Sequence, residues 1–191
     1  LAVSEGDLRF LPATGTAEPA RPLHHHQNHI IITPRALQDG WVRLSQCHHN
    51  LDRVGELQIV FNEQRTRDLE VTVARNIGQA FVAGATLQLR DIGADSRVCL
   101  SLLSRAFAVT PEGGYVLQNG PFMRRFLDGY YPMRVSLRIE YPAQLVAGLY
   151  APAQQPGFAV QQAPGLIEVD AVFEGRLFTR FGFQLREAGT R

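Results

Sequence analysis

All six histidines of this chain fall between positions 24 and 49. Four sit in HHHQNH (His24, His25, His26 and His29), and two follow a cysteine in CHHN (His48 and His49). Imidazole is the commonest protein ligand for transition metals and titrates close to neutral pH. In extended backbone, residues two apart share a side, so His24 can converge with His26, and Cys47 with His49. A Cys-x-His pair facing an imidazole cluster suits Zn²⁺ or Cu as a cofactor. The candidate ligands are His24, His26, His29 and His49. The competing reading is a solvated polar tract, because no ligand-spacing motif accompanies the run.

The only cysteines are Cys47 and Cys99, and both lie in strand-like segments. In an oxidising compartment they can form one bridge, which in the chain-entropy model stabilises by about 4 kcal/mol. The alternative is two buried thiols. The expectation carried forward is a bridge across the sandwich, which would remove Cys47 as a thiolate ligand and leave an all-imidazole site.

A third feature is aromatic and basic. The segment PFMRRFLDGYYPMR combines Phe122, Phe126, Tyr130 and Tyr131 with Arg124, Arg125 and Arg134. Tyr and Arg are enriched in interaction hot spots, so Phe122, Arg124, Arg125, Phe126, Tyr130 and Tyr131 form a candidate interaction surface. Against this stands the reading that the aromatics cap an open end of the core while the arginines point to water.

Catalytic signatures are missing. There is no G-x-S-x-G, Walker A, G-x-G-x-x-G, H-E-x-x-H or C-x-x-C pattern. Every one of the 19 basic residues is arginine, which excludes lysine chemistry and hints at GC-rich bacterial coding. A net charge of +1, with no basic stripe, argues against nucleic acid as a partner. Hydrophobic residues make up 45% and charged residues 19%, an ordinary globular balance over 191 residues. No run of eighteen apolar residues occurs, so no spanning helix is expected.

The elements that must position these groups read as strands. Residues 1–28, with Pro12, Pro19 and Pro22, are expected to form a tail or linker that lies along the body. From there short runs rich in Val, Ile, Leu, Phe and Tyr alternate with turn residues. They are HIIIT (29–33), WVRLSQC (41–47), ELQIVF (56–61), DLEVTVA (68–74), QAFVA (79–83) and TLQLRDI (86–92). RVCLSLLSRAFAV (97–109) is too long for one short strand and should bend. MRVSLRIEY (133–141), QLVAGLY (144–150), GLIEVDAVF (165–173) and RLFTRFGFQL (176–185) complete the set. Pro121 and Gly129 bracket one short helix or turn, the only helical candidate. Strand HIIIT and the connection PRALQDG should return the chain antiparallel, bringing His48 and His49 back toward His24 to His29.

LDRVGELQIVF (51–61) and LDGYYPMRVSLRIEY (127–141) read alike, and similar turn–strand orders follow each. That pattern suggests two similar units of about 75 residues, here 29–110 and 111–191, unless they form one continuous sandwich. The fold expectation is therefore an all-β antiparallel β-sandwich. The strand pattern is similar to immunoglobulin-like sandwiches, although Trp41 precedes both cysteines, so the Cys to Trp to Cys order is absent.

The chain opens on Leu1, consistent with a targeting segment or lipid anchor already removed, and periplasmic or extracellular localisation is expected. The functional expectation is a non-catalytic cell-envelope binding or assembly module with a protein or envelope component as partner. The alternatives are a periplasmic Zn- or Cu-binding protein using the histidines and, remotely, a hydrolase without a recognisable motif.

Overall fold

The computed structural model describes residues 6–12, 22–127 and 129–186. Much of the expected tail, residues 1–5 and 13–21, lies outside them. The chain is all-β, built of antiparallel sheets that form a sandwich-like body with no closed barrel.

The first half contains β1 (Arg9–Phe10), β2 (His25–Ile31), β3 (Trp41–His49), β4 (Glu56–Val60), β5 (Thr66–Ala83), β6 (Thr86–Arg105) and β7 (Phe107–Val109). The second half contains β8 (Tyr115–Phe122), β9 (Arg125–Phe126), β10 (Gly129–Tyr130), β11 (Met133–Glu140), β12 (Leu145–Ala151), β13 (Phe158–Ala163), β14 (Leu166–Glu174) and β15 (Leu177–Leu185). The large sheet runs β1-β14-β11-β2-β3-β6-β4, with β13 also on β14 and β5 on β6. The small sheet runs β12-β15-β8-β7. Between them lies a core that includes Ile30, Val135, Leu137 and Phe173 from the large sheet and Leu117, Phe181 and Phe183 from the small one.

Alternation explains which side chains enter that core. Along β11, Met133, Val135, Leu137 and Ile139 are buried, while the residues between them face outward. Along β2 the same rule turns His26, Asn28 and Ile30 inward. The first strand of the large body starts at His25 and not at His29, because His25 to Asn28 pair with both β3 and β11.

The remaining differences from the sequence reading have physical causes. Segments 68–74 and 79–83 fuse into β5, and 86–92 and 97–105 into β6, because bulges absorb the polar breaks between them. At Asp91 (φ 55) the alternation slips by one, so Ile92 joins Leu87 and Leu89 in a second core instead of opposing them. The long 97–109 run does not merely bend: it leaves the large sheet at Arg105 and enters the small one at Phe107. Of the two alternatives for 121–129, helix or turn, the described residues take no helix. Phe122 ends β8 opposite Leu177, and β9 and β10 close a short ladder. The stretch between Pro121 and Gly129 is too short to repay helix nucleation without a buried face. The α-helix that does form is α1, Ala36–Asp39, in the expected connection. Gly40 ends it at φ 75, where an added Cβ would lie 2.5 Å from the Phe107 carbonyl oxygen.

The 110/111 boundary crosses shared sheets. β2 from the first half pairs in parallel with β11 from the second, and β7 pairs with β8. The strands compared as a repeat also differ in station, since β4 ends the large-sheet path while β11 lies inside it between β2 and β14.

Candidate functional site

β2 and β3 run antiparallel in a register that sets His25 opposite His49 and His26 opposite His48. The two histidine groups therefore meet at one end of the strand pair. Because side chains alternate, they are divided between two faces. His24, His26 and His48 lie on the inner side, with Asn28 and Gln46. His25, His29 and His49 lie on the outer side, with Gln27 and Cys47.

The inner group is a hydrogen-bonded chain. Gln46 Nε2 donates to His48 Nε2 at 2.6 Å, which leaves the His48 proton on Nδ1, where it is donated to His24 Nε2 at 3.0 Å. His26 Nε2 donates to Asn28 Oδ1 at 2.9 Å, and its ring lies 4.2 Å from that of His48. Phe122 meets His26 edge-on at 5.1 Å. Burial is the first cause lowering all three imidazoles, to about 4 for His24, to about 3 for His26, and well below 6.5 for His48. Mutual repulsion adds to it, and Arg124 is the second cause at His24. At neutral pH the group is three uncharged imidazoles, whose ring nitrogens bond to each other and to two amides.

Two of the outer group reach ion-paired carboxylates. His25 Nε2 lies 2.8 Å from Ser136 Oγ, which lies 3.3 Å from Asp170, and burial lowers His25 to about 4. Arg134 holds the same carboxylate through two bonds of 2.8 and 3.0 Å. His29 Nε2 and Arg138 Nε both donate to Glu140 Oε1 at 3.1 Å, and they hold that carboxyl below its ordinary range. His49 Nε2 donates to Gln27 Oε1 at 2.8 Å. Ser136 Oγ thus lies within reach of both the His25 imidazole and the Asp170 carboxylate, which Arg134 also holds.

The expected quartet His24, His26, His29 and His49 does not come together, since His24 and His26 face inward while His29 and His49 face outward. Among the described residues no group of three or more His, Cys, Asp or Glu is arranged to hold a metal ion. Sequence reasoning left His48 out of the quartet. Counting alternation back through the β2–β3 register would have placed it beside His26.

Cys47 and Cys99 form a disulfide. They are direct cross-strand partners on β3 and β6, so the bridge lies within one sheet and does not span the sandwich. Their Cα atoms are 4.1 Å apart. Arg97 lies over the pair, Nε donating to Cys99 Sγ at 3.2 Å and Nη2 to Cys47 Sγ at 3.8 Å.

The aromatic and basic segment splits into anchors and contacts. Phe122 is buried against His26, and Arg124 forms a two-pronged pair with Asp52 while donating to the Pro132 carbonyl at 3.1 Å. Arg124 also lies 5.6 Å from the Tyr131 ring. These anchors hold the β9–β10 hairpin above the inner histidines. Met123, Phe126, Leu127 and Tyr131 stand out from it at 43%, 49%, 78% and 41% exposure. Arg125 lies over Tyr130, is exposed, and has no carboxylate partner among the described residues.

No family model matches the chain, and no curated protein matches it. Among solved structures it is similar to an M1 zinc metallopeptidase from Deinococcus radiodurans bound to the substrate Tyr-Ser-Ala, with 11% identity and a TM-score of 0.47. It is also similar to a two-domain M1 zinc metallopeptidase bound to L-tryptophan, with 13% identity and a TM-score of 0.44. In both cases 85% of this chain covers 42% of the other. The chain thus spans less than half the length of those chains, and neither likeness carries ligand, chemistry or partner over to it.

Proposed function

We propose that this chain is a non-catalytic binding or assembly module of the cell envelope, periplasmic or extracellular, which engages a protein partner through the β9–β10 hairpin. The observation that carries the reading is the exposure of Met123, Phe126, Leu127 and Tyr131 on one anchored hairpin. Large apolar side chains clustered on a short, pinned turn lose little conformational entropy on docking, which favours recognition. The guanidinium of Arg125, exposed and without a carboxylate partner among the described residues, points to an acidic rim around an apolar contact on the partner. A disulfide accords with an oxidising compartment. The divided quartet speaks against a Zn or Cu centre built from those four histidines.

The test is site-specific photocrosslinking in cells that express the full chain. A photoreactive residue in place of Phe126 is expected to capture one discrete protein, and the same residue in place of exposed Leu149 is not. Phe126→Asp with Leu127→Asp should abolish the association and leave the melting temperature unchanged. Absence of any adduct at position 126, or the same adducts at both positions, would overturn the reading.

A further inference from the structure

We infer that Cys47–Cys99 is a thiol–disulfide exchange site that takes a protein dithiol as its reductant. The two sulfurs lie on the outer face of the large sheet, away from both hydrophobic cores, with Cys47 partly exposed and Cys99 at 5%. An incoming thiolate therefore reaches Cys47 Sγ first. Arg97 Nε is 3.2 Å from Cys99 Sγ, the sulfur that must leave.

The surrounding charge favours that departure. Arg97 has no carboxylate partner among the described residues, so its charge is not already spent on an ion pair. Arg75 on β5 is directly opposite Arg97, and Val73 is directly opposite Cys99. From β3, His49 shares the face of Cys47 and is a neutral imidazole, held below its ordinary range by burial and by Arg97. From β2, Gln27 is opposite Cys47, and His25 is opposite His49. The acids of β5 are Asp68 and Glu70, the latter opposite Ser101, and on β6 Asp95 precedes Arg97 by two residues. A positive, carboxylate-poor setting stabilises a thiolate over a thiol, and a leaving thiol of lower pKa leaves faster.

The exchange balances with a dithiol alone. Its thiolate attacks Cys47 Sγ, the Cys47–Cys99 bond breaks, and the electron pair stays on Cys99 Sγ beside Arg97. The second thiol of the reductant then attacks its partner sulfur in the mixed disulfide and releases Cys47. The reductant leaves as a disulfide, and its two electrons and two protons remain with the cysteine pair.

The full chain is treated with dithiothreitol and with a thioredoxin-type dithiol protein, while Trp41 fluorescence reports folding. After reduction, the pH midpoint of Cys99 alkylation is read by mass spectrometry. The expected result is reduction by both reagents without unfolding and an alkylation midpoint at least one unit below the ordinary value of about 8.5. Arg97→Gln should raise that midpoint by about one unit and slow reduction several-fold, and Arg97→Lys should restore both in large part. Equal midpoints in wild type and Arg97→Gln would overturn the inference. So would reduction that proceeds only at the rate of global unfolding, the behaviour of a purely structural bridge.

Discussion

On the inner face of the β2–β3 pair, His24 bonds to His48, and His48 and His26 bond to the amides of Gln46 and Asn28. On the outer face, His29 meets Glu140, His25 reaches Asp170 through Ser136, and His49 bonds to Gln27 in the sheet that carries the disulfide. One residue type thus bonds to amides and to its own kind on one side and reaches a hydroxyl, a carboxylate and an amide on the other. Burial lowers imidazoles on both faces, His25 to about 4 as well as His24, so the faces differ in the partners they offer and in how deeply the rings are covered.

The sharpest way to break this comparison is acid. In the unfolded chain each imidazole titrates near 6.5, whereas in the fold His24 is lowered to about 4 and His26 to about 3. Between those values the unfolded state binds protons that the folded state refuses, so stability is full above pH 6.5 and falls toward pH 4. The expected loss by pH 4 is on the order of 5 kcal/mol, followed by urea unfolding at stepped pH. Both His48 and His49 are lowered, but His48 is the more deeply buried, so His48→Leu should flatten that slope more than His49→Leu. A slope that responds equally to both variants would mean the faces do not differ.

The outer face owes its largest single contribution to a covalent bond. Replacing Cys47 and Cys99 with Ser removes a link over 52 residues, and denaturant midpoints should register a loss of about 4 kcal/mol. At neutral pH, His48→Ala strips partners from His24 and Gln46 and leaves a cavity, so it should cost about 3 kcal/mol, against less than about 0.5 kcal/mol for His49→Ala. Paired thermal melts decide this, and similar shifts would place the two histidines in equivalent surroundings. The smallest effect belongs to His29→Gln, where an exposed pair with Glu140 is lost and no change in melting temperature should be detectable.

Much of the framework was legible in the chain. Strand texture and turn residues indicated an all-β body, and the PRALQDG connection suggested the antiparallel return that brings His25 beside His49. The candidate metal quartet failed on a rule the sequence already carried. His24 and His26 have one parity along β2 and His29 has the other, so they could not share a face without a bulge. The helix alternative for 121–129 rested on punctuation alone, without an apolar stripe to bury.

By itself the sequence determined the element type along most of the chain, the absence of lysine chemistry, and the facing of each side chain within an uninterrupted strand, because alternation is a local property of extended backbone. Only the tertiary structure decided which face is buried, and with it which partners each histidine meets. It joined β2 to β11 in parallel, bonded Asp52 to Arg124 across 72 residues, and set Arg97 over the disulfide. Bulges at Asp91 and around Asn76 shifted the alternation where local pattern could not announce it. Pairings between distant segments depend on the whole core closing at once, and no local window of residues contains that information.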